Sequence, residues 1–171
     1  MYSVTKLIDL LNKPFLLKWA NGLGLKGLSL DSYMKDKSSS GNNKHKQIEQ
    51  YFINGIDFDN SHKIEYIKNE YEIIGCEVDI NNGYINGRVD LILKKNDKTY
   101  IVDFKSNKNI YLSTKLQLST YKHIYNADHI CYINFDNYNL EIINIDTNKY
   151  YEIVKRLYQI KTLITELNEY I

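Results

Sequence analysis

The residues best suited to chemistry lie in one short run, Gly87 to Lys105, reading GRVDLILKKNDKTYIVDFK. Two strand-like segments, 88–93 and 99–104, flank the polar turn Lys95-Asn96-Asp97-Lys98. Alternation along a strand puts Arg88, Asp90 and Ile92 on one face and Val89, Leu91 and Leu93 on the other. In the second segment Ile101, Asp103 and Lys105 share a face, opposite Tyr100, Val102 and Phe104. A hairpin folded at the turn brings Asp90, Asp103 and Lys105 together. Ionised carboxylates set into runs this apolar are costly unless compensated, and a hard divalent cation is the usual compensation. Taken singly the pieces are bland, since an Asp-x-Lys at a strand end equally suits a solvated edge.

The elements around this hairpin have to position it. Ser3 reads as the N-cap of a helix carrying Val4, Leu7, Ile8 and Leu11 on one face. Pro14, the only proline, suits the first turn of a second helix, capped by Asn12 or Lys13 and ended by Gly22 and Gly24, with Phe15, Leu16 and Trp19 packing. The run Ser38-Ser39-Ser40-Gly41-Asn42-Asn43 reads as a loop. A helix over 44–52 then sets His45 and Glu49 four residues apart on one face, a spacing that surface pairs also use. A strand over 68–80, with Glu70 and Glu72 on one face, turns at Asn81-Asn82-Gly83 into the Gly87 strand, giving a three-stranded meander. After the polar connection at 106–109, a helix over 112–125 carries Gln117 and Tyr121 at i,i+4. Strands over 130–135 and 140–145 are joined at Asp136-Asn137. Asp146 or Thr147 caps a last helix whose apolar stripe is Ile153, Leu157, Ile160, Ile164, Leu167 and Ile171. This order predicts an α/β fold, a mixed central sheet with helices on both faces.

Composition bounds the function class. The 171 residues fit a single domain, and no apolar run is long enough to span a membrane. The opening residues carry Lys6, Asp9 and Lys13 inside what a secretory leader would keep apolar, so a cytoplasmic location is expected. Cys76 and Cys131 lack a second pair for a zinc or iron–sulfur site and are read as core residues. A net charge of +1 excludes a strongly basic bulk nucleic-acid binder but leaves room for a local basic groove among 22 Lys and Arg. Sixteen tyrosines could stack on bases, although a chain heavy in Asn, Ile, Lys and Tyr also fits an AT-rich genome.

His45-x-x-x-Glu49, Gly87-Arg88-Val89-Asp90, Ile101-Val102-Asp103-Phe104-Lys105 and Gln117-x-x-x-Tyr121, in that order, resemble the PD-(D/E)XK nuclease superfamily, specifically its RecB-type branch. The N-terminal KPFLLKWANGLG is similar to small stand-alone phage members. Val89 stands where the motif has proline, and the branch's four iron–sulfur cysteines are missing, so no cluster is expected. The resemblance implies a restriction-endonuclease-like αβββαβ core at 41–145, with a helical extension at 1–40 and a packing helix at 146–171. It implies Mg²⁺ or Mn²⁺ bound by Asp90, Asp103 and the Phe104 carbonyl, with His45 as a nitrogen ligand and Glu49 acting directly or through water. Lys105 would orient or deprotonate the attacking water, and Gln117 and Tyr121 would hold the lysine, the water or a phosphate in place. The function so implied is a metal-dependent DNA nuclease. It would act as an exonuclease on single strands or ends in replication, recombination or repair, in the cytoplasm of a host if viral, alone or with a protein partner from those processes. An RNA endonuclease of the same fold and an inactive nucleic-acid-binding module are the alternatives, and oligomeric state is not legible.

Overall fold

Strand β3, Ile85–Lys95, is the axis of a six-stranded mixed sheet in the computed structural model, which describes residues 1–11, 14–106 and 109–169. The other strands are β1 (Tyr2–Ser3), β2 (Glu72–Asn81), β4 (Lys98–Lys105), β5 (His129–Asn134) and β6 (Leu140–Ile142). The helices are α1 (Val4–Ile8), α2 (Pro14–Leu25), α3 (Leu30–Asn54), α4 (Glu65–Glu70), α5 (Leu112–Tyr125) and α6 (Thr147–Asn168). β2, β3 and β4 form an antiparallel meander, β5 lies parallel to β4, and β6 closes the sheet antiparallel to β5. Asn96 and Asp97 both take positive φ between β3 and β4, the hairpin geometry that Asn and Asp tolerate best among residues with a Cβ.

Each face of the sheet carries its own core. On one, Val89, Ile92, Ile101 and Ile130 pack with Val4 and Leu7 of α1, Leu116 and Leu118 of α5 and Val154 of α6. On the other, Leu91, Leu93, Val102, Phe104 and Ile133 pack with Ile48 and Tyr51 of α3 and Ile67 of α4. The expected mixed α/β arrangement, helices on both faces, is the one observed. Ser3 caps α1 by accepting from the Lys6 N–H, and Asp146 caps α6 by accepting from the Lys149 N–H.

Several expectations are corrected. The 38–43 run is no loop: α3 passes straight through it from an N-cap at Ser29 to a left-handed Gly55. Its two ends are anchored, Tyr33 edge-on to Trp19 at one and Ile48 and Tyr51 in the core at the other, and this packing overrides weak helix formers between them. α2 likewise runs through Gly22 and Gly24, and the chain turns at Gly27, φ 70°. The proposed caps Asn12 and Lys13 lie outside the described residues, as do part of the 106–109 connection and Ile171. Glu70 belongs to α4 rather than to the strand holding Glu72, and it pairs with Lys95 at 2.8 Å. β6 is shorter than expected and stops at Ile142. In α6 the stripe packs only near Val154 and Leu157. Ile160 and Leu167 are 48% and 64% exposed.

Candidate active site

The site begins with a divided strand edge. β2 occupies one side of β3 from Asn86 to Lys94. The other side is shared, β1 pairing at Ile85 and Asn86 and β4 pairing from Leu91 to Lys95. Residues 87–90, Gly-Arg-Val-Asp, therefore have no strand beside them on that edge, and the departure of neighbours in two directions opens the crevice where α/β sheets usually bind ligands. Side chains fill it. The Tyr121 hydroxyl faces the Arg88 backbone N–H and accepts from Gln117 Nε2 at 3.0 Å. The Asp90 carboxylate takes the Phe104 N–H at 2.8 Å, replacing a ladder bond just where β3 and β4 separate. Gly87 is required by this packing: a Cβ there would lie 2.2 Å from Tyr121 Cε1.

β2 and β3 change faces at the same point. The register runs from Cys76↔Leu91 to Val78↔Val89, so that Glu77 falls opposite Asp90. Glu77 has φ 50°, unusual for a residue with a Cβ. Across this kink Leu91 belongs to the α3-side core and Val89 to the α5-side core, so the simple alternation expected for 88–93 fails at Asp90. Glu77 and Asp90 are opposite each other and shift together at the kink, so their carboxylates stay on one side and converge.

His45 reaches the same point from α3. Its Nδ1 lies 3.4 Å from Asp90 Oδ2, its ring meets Phe104 and Phe135 edge-on, and the Phe104 carbonyl accepts a hydrogen bond from the imidazole. Burial and the Lys105 charge hold its pKa below the ordinary value, which favours a neutral imidazole able to donate a lone pair. His45, Glu77 and Asp90 offer ligand atoms that all lie within 4.8 Å of one another. Lys105 Nζ lies 2.7 Å from Asp103 Oδ2.

The electrostatics are those of a site short of positive charge. Burial, then the neighbouring Asp103, push the Asp90 carboxyl well above the usual range against the pull of the Phe104 N–H and Lys105. Asp103 is raised by burial despite Lys105, and Glu77 by burial and then by Glu49. A divalent cation would reverse each of these shifts, and a set of carboxylate oxygens with one imidazole nitrogen suits Mg²⁺ or Mn²⁺. The donor set fits such an ion.

Of the residues singled out from sequence, Asp90, Asp103, Lys105, His45 and the Phe104 carbonyl meet where β3 and β4 separate, and Gln117 and Tyr121 stand against them from α5. Glu49 is one step back, near enough for its charge to act on Glu77 and Cys76. Glu77 was missed. The signal available was its place on β2, which a count back from the Asn81-Asn82-Gly83 turn sets opposite Asp90.

A family model described as the PD-(D/E)XK nuclease superfamily matches residues 44–169. Among solved structures, the one titled "Crystal structure of SSO0001" is similar at 19% identity, covering 94% of this chain and 75% of its own, with a TM-score of 0.47. No curated protein matches the chain.

Proposed function

Because the chain belongs to the PD-(D/E)XK nuclease superfamily, and so to the metal-dependent nucleases, we propose that it hydrolyses DNA as an exonuclease acting on single strands or ends. The observation carrying this reading is the convergence of His45, Glu77 and Asp90 beside the Asp103–Lys105 pair. The RecB-type branch, with a small phage-like member in a replication, recombination or repair setting, is supported by the helical His45 and by Gln117 and Tyr121 standing against the Gly87 backbone. Residues 1–171 form one nuclease domain in this reading, with 1–40 an extension, 41–145 the catalytic core, and the matched region running on through α6.

Asp90, Asp103, the Phe104 carbonyl and His45 would hold Mg²⁺ or Mn²⁺, with Glu77 completing the set and Glu49 acting through water. When bound, the ion supplies positive charge for the phosphoryl oxygens and lowers the pKa of water. The chain's residues do the rest. Asp103 fixes the Lys105 ammonium at the mouth of the site, where it orients the attacking water and counters negative charge developing on the phosphate. Gln117 holds the Tyr121 hydroxyl, and the tyrosine in turn fixes the Gly87–Asp90 backbone, so that Asp90 keeps its place.

End-labelled DNA and RNA oligonucleotides incubated with Mg²⁺, Mn²⁺ or EDTA test the proposal. DNA should be shortened from its ends with either ion and left whole with EDTA. Cleavage of RNA alone would make the protein a ribonuclease, and cleavage of neither would leave a binding module. Asp103→Asn should lose both cleavage and Mn²⁺ binding. Lys105→Ala should keep the ion, measured by calorimetry, while turnover falls by about 10²–10⁴-fold, the span expected of a positioned acid–base group.

A further inference from the structure

A row of aromatic rings starts at the catalytic centre and continues past it. His45 lies edge-on to Phe104 and Phe135, Phe135 is stacked on Phe104 at 6.1 Å between centroids, and Tyr138 follows Phe135 at 6.4 Å. The Phe135 N–H donates to the Lys105 carbonyl at 2.9 Å, so the row leaves the sheet beside Lys105. The three rings are 3%, 4% and 4% exposed, which leaves no open face on which a base could stack. They can still attract a cation, because the ring quadrupole is negative over its face. Two lysines are placed in this way. Lys44 Nζ lies 5.2 Å from the Phe135 centroid, and Lys63 Nζ lies 5.9 Å from that of Tyr138.

These two ammonium groups differ from the cations on the strands. Arg88, Lys95, Lys98 and Lys105 each lie 2.7 or 2.8 Å from a carboxylate oxygen. Among the described residues, Lys44 and Lys63 have neither an ion pair nor a hydrogen bond. A ring holds an ammonium without neutralising it and leaves its N–H donors open to another acceptor. Lys44 is half-buried on α3, next to His45, and Lys63 is exposed in the short 3₁₀ turn Ser61–Lys63. Fixed, unneutralised donors in a row call for a ligand with repeated negative charge.

We propose that Lys44 and Lys63 form a phosphate track leading away from the metal site, binding the backbone phosphates of a single DNA strand next to the scissile one held at Asp90, Asp103 and Lys105. The proposal rests on the nuclease reading for its substrate. The ring steps of 6.1 and 6.4 Å resemble the separation of neighbouring phosphates along an extended strand. Contacts of this kind position the strand and carry no base preference. β4 lies between β3 and β5, and on the β3 side Arg88 is neutralised by Asp79. The strand is therefore gripped on one side of the scissile bond, which suits cutting at an end. Asp136 brings its charge to the Tyr138 hydroxyl and opposes a phosphate there, so Lys44 makes the stronger contact.

The test follows binding of the full chain to a fluorescein-labelled single-stranded DNA by anisotropy in EDTA over a series of salt concentrations. Cleavage of the same strand and of its RNA counterpart with Mn²⁺ gives KM and kcat. Each phosphate neutralised adds about 0.7 to the slope of log affinity against log salt for a single strand. Lys44→Gln should flatten the slope by about 0.7, Lys63→Gln by less, and the loss in cleavage should fall on KM. Lys98→Gln, the same charge change at the β3–β4 turn, should keep the wild-type slope. Wild-type slopes in both Lys44→Gln and Lys63→Gln overturn the track, and cleavage by those proteins leaves the nuclease standing. Equal flattening by Lys98→Gln also overturns the track, as an effect of net charge alone. Flattening confined to the two track lysines, without cleavage of DNA or RNA, supports the track and overturns the nuclease. Neither binding nor cleavage overturns both.

Discussion

Gly87 and Tyr121 make the sharpest residue-scale claim. Adding one methyl at Gly87 drives a Cβ to 2.2 Å from the tyrosine ring. Overpacking of this kind costs about 1–3 kcal/mol, and emptying the ring position by Tyr121→Ala costs about 3–5 kcal/mol. Each cost arises from the other residue, so the pair should couple. Gly87→Ala in the Tyr121→Ala background should be close to neutral, measured by chemical denaturation of the four proteins of the cycle. An additive result would mean that the ring does not rest on Gly87 in solution. The same pair shows how far a sequence can be read. Asp90 and Asp103 were legible as neighbours because the turn at Asn96-Asp97 sets them across from each other, and Lys105 because it shares a face of β4 with Asp103. Glu77 was legible only in part, since a count from the turn sets it opposite Asp90 but no residue type announces the backbone kink, φ 50°, at which the two change face.

Among elements, α3 departs furthest from expectation. Ser, Gly and Asn are weak helix formers, and a run of them between polar neighbours has the composition of a loop. The helix forms because packing at its two ends is worth more than the propensity lost in its middle, a balance that only the tertiary structure reveals. β1 was invisible for a related reason, being two residues long and stabilised by pairing with Ile85 and Asn86. β3 and β4 were legible because two long apolar runs joined by one short polar turn read as a hairpin. Gly41 offers a clean test, since a Cβ there meets nothing within 4 Å. Gly41→Ala should raise stability by about 0.5–1 kcal/mol, read as a higher melting temperature. A fall would show that the middle of α3 needs glycine's freedom and that the helix is interrupted in solution.

At the scale of the whole molecule, stability is tied to pH through the two buried carboxylates. Their folded pKa values are raised, so the folded state holds protons that the unfolded chain releases. Stability from this source is fully present below the unfolded carboxylate range and is lost as pH rises through the raised values. Asp79 and Asp128, depressed by Arg88 and Lys98, act in the opposite sense at more acid pH, and His45 and His123, depressed by burial, do so as pH rises toward the ordinary imidazole value. In EDTA the carboxylates should therefore lower the wild-type melting temperature as pH rises, measured relative to Asp90→Asn, which lacks one of them. With Mn²⁺ the fall should be offset increasingly as pH rises, because the ion competes with those protons. An Asp90→Asn variant that loses ground to the wild type in EDTA as pH rises would contradict the buried-acid site. Among the described residues no helix is long and apolar enough to cross a membrane.

The open side of β3 at 87–90 has one more consequence. A bare run of strand backbone is a template on which another chain can add a strand, and proteins usually guard such edges with charges, bulges or cover. Here the guard is the Tyr121 ring, 4% exposed and lying against Gly87. The ring that packs against Gly87 should therefore also hinder another chain from pairing with this edge. Tyr121→Ala should form oligomers on concentration, seen by size-exclusion chromatography with light scattering, whereas Tyr121→Phe, which keeps the ring and loses only the hydroxyl, should remain as dispersed as the wild type.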